Sequence, residues 1–395
     1  MTVLVTGADG YVGWPTALRL ARRLDERVVG VDNLARRDWV EDTGSVSAVP
    51  IHDAERRFGA EPDLSFADAD LADSDAVKRL LNVHEPHTVV HAAAQPSAPY
   101  SQINGERALY TQRNNLSMNV NLLHGLKEAG LEDTHFIETT TTGVYGAPEF
   151  PIPEGGSTME NRGESDEVPF PAMGGSWYHV TKSFDNANAR LANTQWGQPV
   201  SDVRTAIVYG TETEETEELE LPTRFDFDYY FGTVVNRFCA QAVAGYPLTV
   251  YGKGEQRKPM VGLRDTVESL ATLVERGHDG GVSESEDSEA RQSESDGGVD
   301  VYNQVTRPVA IVELAETIQE VGEEFDLDVE ITHVENPRDE DEEHEMRMEN
   351  EKYDDLVGEP QSLEAGIRDV LATLTRHDDR ITAHEDRFLP EVLLD

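Results

Sequence analysis

"MTVLVTGADGYVGWP", residues 1–15, combines an apolar run of strand length with glycines at positions 7, 10 and 13. Small residues there let the backbone turn tightly and let a pyrophosphate approach the amides at the positive N-terminus of the next helix. Glycines at this spacing also occur in ordinary turns, so the motif needs support from the rest of the chain. The stretch predicts a strand, a phosphate-binding turn and a helix.

Further apolar runs of strand length follow at regular intervals: RVVGVD, HTVVHAA, THFIETT and VSDVRTAIVYG. Helical periodicity lies between them, for example at 11–24 and 114–129. Alternation of this kind predicts an α/β protein with a Rossmann-type, doubly wound parallel sheet. We expect a smaller, interleaved C-terminal lobe that binds the substrate.

Asp32 ends the second of these runs, which is where an acid accepts hydrogen bonds from the ribose hydroxyls of NAD and repels the extra phosphate of NADP. Arg36 and Arg37 follow and keep NADP open as an alternative, but Asp32 favours NAD. Two later stretches, ADADL at 67–71 and HAAAQ at 91–95, end strands where adenine and the nicotinamide ribose would lie. We therefore expect an NAD-binding domain at 1–210, joined by part of 233–305, and a nucleotide-sugar lobe mainly at 211–395.

Charge limits the partners of the chain. Acidic residues number 77 against 33 basic ones, a formal net charge of -44, so nucleic acid and anionic membrane surfaces are poor partners. At roughly 1 M salt the Debye length falls to about 3 Å, which would screen repulsion among surface carboxylates. With arginine preferred over lysine, we expect a protein of a high-salt cytoplasm, and full activity without added salt would contradict that.

One cysteine, Cys239, excludes an intrachain disulfide and a cysteine-based zinc site. The first residues run directly into a strand without a basic n-region, and no apolar stretch approaches the roughly 20 residues that span a bilayer. The expectation is a cytoplasmic protein without membrane insertion. Three acidic segments, at 211–223, 283–298 and 338–351, are more typical of solvated surface than of calcium sites; 283–298 is interpreted as an insertion, and no metal is expected.

Tyr178 and Lys182 stand one helical turn apart in SWYHVTK, after a loop-like stretch at 150–176 rich in proline and glycine. A lysine ammonium lowers the pKa of a neighbouring tyrosine and can hold the nicotinamide ribose. The pair is common by chance, and the threonine run at 139–142 also suits an ordinary strand. With Thr141 at the strand end, the glycine turn and Asp32, however, the order predicts a catalytic group that acts on an alcohol or ketone.

Here the sequence resembles the extended short-chain dehydrogenase/reductase family, the nucleotide-sugar epimerases and dehydratases, over essentially the whole chain. Within it, the sequence looks most like the UDP-sulfoquinovose synthases, which use NAD and sulfite to convert UDP-glucose. The stretches that carry the resemblance include DGYVGWPTAL, QPSAPYSQI, WYHVTKSFDNAN, FDYYFGTVVNRFCAQAVAGYPLTVYGKG and ENPRDEDEEHE.

The resemblance implies that Tyr178 and Lys182 are the base and its partner in oxidation at C4 of the sugar, and that Thr141 bonds the C4 oxygen. His179 is a candidate near C6, although a histidine on a helix face is an equally good interpretation. The cofactor residues predicted from motifs and resemblance are Gly7, Asp9, Gly10, Tyr11, Val12, Gly13, Asp32, Asn33, Leu34, Asp70, Leu71, Ala92, Ala93, Asn115, Tyr178, Lys182 and Val208. The predicted substrate residues are Gln95, Ser97, Tyr100, Thr141, Thr205, Arg237, Phe238, Tyr251, Gly252, Lys258 and Arg338.

Several positions depart from the family pattern. Sugar 4,6-dehydratases follow the catalytic threonine with an Asp-Glu dyad, whereas this chain has Thr142 and Gly143. The synthases lead one to expect a glutamate before Tyr145 and an arginine before SAPYS, whereas this chain has Val144 and Pro96. Lys258 replaces an arginine, and Thr205 and Ile207 replace polar residues.

The leading hypothesis is a UDP-sulfoquinovose synthase or close relative with a UDP-sugar and sulfite as substrates. The alternatives are a UDP-sugar 4-epimerase or related 4,6-dehydratase, and a non-catalytic NAD-binding regulator, which would have no reason to keep the Tyr178–Lys182 pair. A homodimer is implied by the resemblance alone.

Overall fold

The computed structural model describes residues 1–170, 172–277, 299–335 and 345–389. The predicted insertion at 283–298 and Arg338 lie outside the described residues. The strands are β1 (Thr2–Thr6), β2 (Arg27–Asp32), β3 (Leu64–Asp68), β4 (Thr88–His91), β5 (His135–Thr141), β6 (Gly156–Asn161), β7 (Glu164–Pro169), β8 (Val200–Thr205), β9 (Ile207–Tyr209), β10 (Leu248–Tyr251), β11 (Arg257–Gly262), β12 (Val299–Gln304), β13 (Arg307–Ala310) and β14 (Ile331–Val334).

The α-helices are α1 (Gly13–Arg23), α2 (Ala35–Thr43), α3 (Ala54–Phe58), α4 (Ser74–His84), α5 (Ala98–Ser101), α6 (Gly105–Ala129), α7 (Trp177–Trp196), α8 (Glu214–Glu218), α9 (Val234–Val243), α10 (Leu263–Arg276), α11 (Ile311–Gly322), α12 (Glu351–Val357), α13 (Leu363–Leu374) and α14 (Asp378–Thr382). Short 3₁₀ helices occupy Thr142–Tyr145, Glu323–Phe325, Thr375–His377 and Glu385–Arg387. Among the described residues, no helix is long and apolar enough to cross a membrane.

The central sheet has seven parallel strands in the order β12-β8-β5-β4-β1-β2-β3. Side chains of β1 alternate between its two faces, as the pleat requires. Val3 and Val5 join the core that contains α1 and α10, whereas Leu4 joins the core beneath α4, α6 and α7. The order reverses at β1. The carboxyl ends of β1 and β4 lie side by side, but the chain leaves them towards opposite faces of the sheet, to α1 and to α6, and a crevice lies between these connections. The predicted doubly wound α/β fold is confirmed.

A second apolar core lies beyond that crevice, and we call the elements around it the second lobe: β10 and β14, with α9, α11 and α13. It also includes Ala48 and Val49, far earlier in the chain, which pair with the 225–227 segment through Ala48 N–H to Phe225 O at 2.9 Å. Strand β12 meanwhile pairs with β8 in the central sheet. The residue limits of the two lobes stay a prediction.

One part of the predicted loop at 150–176 is regular. Strands β6 and β7 form an antiparallel hairpin joined by Arg162 and Gly163, which have φ angles of 56° and 85°. Positive φ at both turn residues matches the right-handed twist of the strands. Strand β6 is mostly exposed and its sequence has no apolar alternation, so the sequence offered no signal for the hairpin.

Asp9 anchors the glycine turn from below. Its carboxylate is fully buried, accepts from Arg57 Nη1 at 2.6 Å and accepts from Arg37 Nε at 2.8 Å and Nη2 at 2.9 Å. Arg57 is itself buried and lies with Cζ 4.5 Å from the centroid of the Trp14 ring. Burial lowers the pKa of Arg57 to about 10. Through Asp9, the glycine turn is thus tied to α2, which carries Arg37, and to α3, which carries Arg57.

We expect Asp9→Ala to lower the free energy of unfolding by about 3–5 kcal/mol, because it leaves the Arg57 guanidinium buried without its carboxylate. Chemical denaturation measures the change. Glu128→Ala, which breaks the exposed pair with Lys78, is the control and should have a much smaller effect. An Asp9→Ala variant as stable as the unmodified protein would contradict this assignment.

Candidate active site

The crevice between the two lobes is a cavity of about 940 Å³. Its walls come from the ends of central-sheet strands, from the first turns of α7 and from the second lobe. A volume of this order accommodates a ligand in a mostly preformed site. All four predicted catalytic residues line it: Thr141, Tyr178, His179 and Lys182.

The glycine turn fits a dinucleotide because two of its glycines stand where a side chain has no space. Gly7 has a φ of +70°, and a Cβ there would lie 2.7 Å from Ala92 O and Ala93 N. A Cβ on Gly13 would overlap the Gly7 carbonyl. The first amides of α1 therefore face the cavity without obstruction, which is the arrangement that binds a pyrophosphate. Gly7, Gly10 and Gly13 all line the cavity, as do Tyr11 and Val12.

Asp32 lines the cavity at the end of β2. Its carboxylate accepts from Asp9 N at 3.0 Å and from Leu34 N at 2.7 Å, and burial raises its pKa. Of the two arginines that left NADP open, Arg37 is held by Asp9 and by His52 O, and Arg36 Nη2 donates to Asp226 Oδ2 at 2.5 Å. Arg37 is thus committed to Asp9 and His52 rather than to a cofactor phosphate, and the acid at Asp32 favours NAD over NADP.

Thr141 ends β5, and its Oγ1 accepts from Gly143 N at 3.1 Å. Ser176 caps α7 by accepting from His179 N at 3.1 Å, which fixes the turn that carries Tyr178. Lys182 is buried and donates to Asp185 Oδ2 at 3.0 Å. Burial raises the pKa of Tyr178; Lys182 opposes that rise without overcoming it, and Asp185 adds to it. Lys182 thus lowers the Tyr178 pKa as predicted, but burial and Asp185, which sequence spacing does not reveal, make the net shift a rise.

His179 occupies space that Gly143 leaves open. A Cβ on Gly143 would lie 2.5 Å from His179 Nε2, and a Cβ on Gly174 would lie 3.0 Å from His179 Cβ. The His179 ring centroid is 5.4 Å from that of Tyr178. Burial lowers the pKa of His179, so its imidazole is neutral near pH 7. The place where sugar 4,6-dehydratases carry the glutamate of their dyad holds a neutral imidazole here.

Further predicted residues also line the cavity: Asn33, Leu71, Ala92, Ala93, Ser97, Thr205, Val208, Arg237, Phe238, Tyr251 and Lys258. The remaining described ones do not line it: Asp9, Leu34, Asp70, Gln95, Tyr100, Asn115 and Gly252. Asn115 has a positioning role, since its Oδ1 accepts from Gln95 N at 2.8 Å and its Nδ2 donates to Thr181 Oγ1 at 3.0 Å. It thereby joins the loop after β4 to the catalytic helix α7.

Two of the departures from the synthase pattern, Pro96 and Val144, differ in position. Pro96 lines the cavity, whereas Val144 packs into an apolar cluster with Tyr145, Ile152 and Phe170. Among the described residues, the sequence prediction missed Arg224, Asp226 and Phe231, which also line the cavity. Their signal is the alternation of charged and aromatic residues in TRFDFDYYF at 223–231.

Fold and site together define an NAD-dependent enzyme of the short-chain dehydrogenase/reductase type. A model of the NAD dependent epimerase/dehydratase family matches residues 3–285, and the chain belongs to that family. It is 37% identical to the chloroplastic UDP-sulfoquinovose synthase of Spinacia oleracea, over 99% of this chain and 78% of that protein. It is 36% identical to the UDP-sulfoquinovose synthase of Sulfolobus acidocaldarius, over 99% and 97%.

Solved structures agree in fold. The UDP-glucose 4-epimerase of Thermotoga maritima, crystallised with UDP-glucose, matches with a TM-score of 0.67 at 22% identity, covering 95% of this chain and 99% of that one. The UDP-glucose-4-epimerase of Stenotrophomonas maltophila, with bound NAD and formylated UDP-arabinopyranose, matches with a TM-score of 0.69 at 19% identity, covering 96% and 99%.

Proposed function

We propose that the protein is a UDP-sulfoquinovose synthase, which converts UDP-glucose and sulfite to UDP-sulfoquinovose and water. The observation that carries the proposal is the neutral His179 imidazole beside Tyr178, in the space that Gly143 leaves. His179 is an acid/base group that differs from the Asp-Glu dyad of the dehydratases, and it lines the same cavity as Thr141, Tyr178 and Lys182. The full-length similarity to two synthases supports the same assignment.

NAD held by the glycine turn and Asp32 would supply a reversible hydride acceptor for C4 of the glucose. The tyrosinate form of Tyr178, which the Lys182 ammonium stabilises, accepts the proton of the C4 hydroxyl, and Thr141 Oγ1 bonds the C4 oxygen. The C4 ketone makes the C5 proton acidic. His179 is placed to move the protons as the C6 hydroxyl leaves as water and the sulfite sulfur adds to C6. The overall reaction breaks a C–O bond, forms a C–S bond and is redox-neutral.

The cations on the second-lobe wall support a UDP-sugar as substrate. Arg237 and Lys258 line the cavity, and Arg237 Nη1 donates to Gly232 O at 2.8 Å. A diphosphate needs cations at close range, and they are scarce in a chain with 77 acidic residues. Arg338 is proposed as a further diphosphate contact. The product would be an anionic sugar donor for a glycolipid or glycan in a cytoplasm of high salt.

A UDP-sugar 4-epimerase is the second candidate, since Thr141, Tyr178 and Lys182 alone suffice for oxidation and reduction at C4. The observation that favours it is Pro96, which puts an apolar ring on the cavity wall where the synthases have an arginine.

Incubation of the purified enzyme with UDP-glucose, with and without sulfite, followed by mass spectrometry separates the two candidates. We expect a sulfonated nucleotide sugar only when sulfite is present. The activity should be higher in about 1 M KCl than in dilute buffer. The Tyr178→Phe variant should lose about 10²- to 10⁴-fold in rate. UDP-galactose formed at the same rate in both reactions would rule out the synthase.

Gly143→Ala should reduce the turnover number, because the new Cβ displaces the His179 ring. If His179 is the acid/base group, Gly143→Ala and His179→Ala should each cost up to about 10²-fold or more, and the double variant should be no slower than His179→Ala. Gly105→Ala, where a Cβ meets nothing within 4 Å, is the control. Additive losses in the double variant would mean that the two residues act separately.

We also infer a homodimer through α6 and α7. These helices pack side by side and expose Leu109, Val120, Phe184 and Leu191, with Leu191 57% exposed. An apolar surface of this kind in so acidic a chain is typical of an interface. Sedimentation should give a dimer, and Leu191→Glu should shift it to monomer; an unchanged mass for that variant would place the interface elsewhere.

A further inference from the structure

The guanidinium group of Arg36 makes two different kinds of contact. Its Nη2 donates to Asp226 Oδ2 at 2.5 Å, and its Cζ lies 3.6 Å from the centroid of the Phe231 ring. Its Nη1 is buried and has no hydrogen-bond partner within the described part of the chain. The side chain lines the cavity. A buried guanidinium N–H without an acceptor is costly, so this atom is suited to an anionic ligand.

The position of this group is set by contacts between the second-lobe segment 221–231 and the glycine turn. Trp14 Nε1 donates to Leu221 O at 2.9 Å, and Thr223 Oγ1 donates to Tyr11 O at 2.7 Å. The Tyr11 hydroxyl donates to Gly210 O at 2.7 Å. The segment that carries Arg224 and Asp226 therefore crosses directly over the turn, at the N-terminus of α1.

The charge on this part of the wall is positive. Arg224 also lines the cavity, and its Nε donates to the same Asp226 Oδ2 at 3.4 Å. The two arginines lower the pKa of Asp226 against the effect of burial, so its carboxylate is ionised. Arg36, Arg224 and Asp226 together carry one net positive charge, which adds to the partial charge of the helix N-terminus. The carboxyl group of Asp228 also acts on Arg36; burial raises the pKa of Asp228, and its Oδ1 accepts from Tyr230 N and Phe231 N.

We propose that Arg36 and Arg224 form a clamp that holds the pyrophosphate of NAD against the amides of the glycine turn. Since Arg36 belongs to α2 and its partners Asp226 and Phe231 belong to the second-lobe segment, the clamp joins the bound cofactor to the wall of the substrate cavity. A cofactor that is oxidised and reduced within each cycle needs such retention.

The other anions that enter the cavity are the diphosphate of the sugar nucleotide and sulfite. The contacts of Thr223 and Leu221 with Tyr11 and Trp14 favour the cofactor, because they place the clamp at the turn. Arg237, by contrast, lies on α9, where its side chain donates to Gly232 O, and not on the segment that crosses the turn.

Arg37 provides the matched control. It is the next residue on α2, but both of its engaged nitrogens are committed to Asp9 and His52 O, and it does not line the cavity. Arg37→Gln removes the same charge from the same helix without touching the clamp.

The test measures binding to the cofactor-stripped enzyme by calorimetry, with NAD, ADP-ribose, adenosine and UDP as probes and with no sugar or sulfite present. For Arg36→Gln we expect the dissociation constants of NAD and ADP-ribose to rise about 10- to 100-fold, as for loss of a charged hydrogen bond, with adenosine unchanged. Arg36→Lys, which keeps the charge but loses the fork, should fall between. Arg37→Gln, which loosens the support of Asp9 under the turn, should melt at a lower temperature but raise the dissociation constants of NAD and ADP-ribose by much less than Arg36→Gln does.

Unchanged ADP-ribose affinity in Arg36→Gln would overturn the proposal, as would an equal loss for adenosine, which indicates a merely structural effect. Weaker UDP binding with normal NAD binding would assign the arginine to the substrate diphosphate instead. Because no sugar chemistry is measured, none of these results depends on whether the enzyme is a synthase or an epimerase.

Discussion

The approach of the Gly7 backbone to the Ala92–Ala93 peptide is the constraint on which the rest of the site depends. At 2.7 Å from a hypothetical Cβ to Ala92 O and Ala93 N, no side chain fits, so β1 and β4 end side by side with α1 rising directly behind the turn. That contact places the helix N-terminus, Asp32 and the catalytic helix α7 around one crevice. Burial of Asp9 between Arg37 and Arg57 then fixes the turn from below.

Local sequence patterns were sufficient to predict the parallel sheet and the functional residues at the carboxyl ends of its strands. The glycines, Asp32 and the Tyr178–Lys182 spacing each report a short-range requirement, and each lies on the cavity as predicted from the sequence. Arg224, Asp226 and Phe231 could not be placed in this way, because they reach the glycine turn only when a segment about 200 residues later folds back over it. The pairing of Lys182 with Asp185 was equally hidden, since its effect on Tyr178 comes from shared burial rather than from spacing.

Electrostatics divide the molecule into an acidic exterior and a cavity with concentrated positive charge. Arg36, Arg224, Arg237 and Lys258 line the cavity, whereas among the described acidic residues only Asp32 and Asp226 do so. Such a distribution favours a doubly phosphorylated substrate beside a dinucleotide. Pro96 adds an apolar ring to the same cavity, and Gly143 leaves the space that His179 occupies.

Exchange of the C5 proton with solvent distinguishes the proposed synthase reaction most directly from simple epimerisation at C4. With UDP-glucose and sulfite in deuterium oxide, a ketone at C4 followed by loss of the C6 hydroxyl exposes C5 to exchange, while the hydride returned to C4 never leaves the enzyme. Proton magnetic resonance of the product should therefore show one deuterium at C5 and protium at C4. Protium retained at C5 would contradict the proposed chemistry.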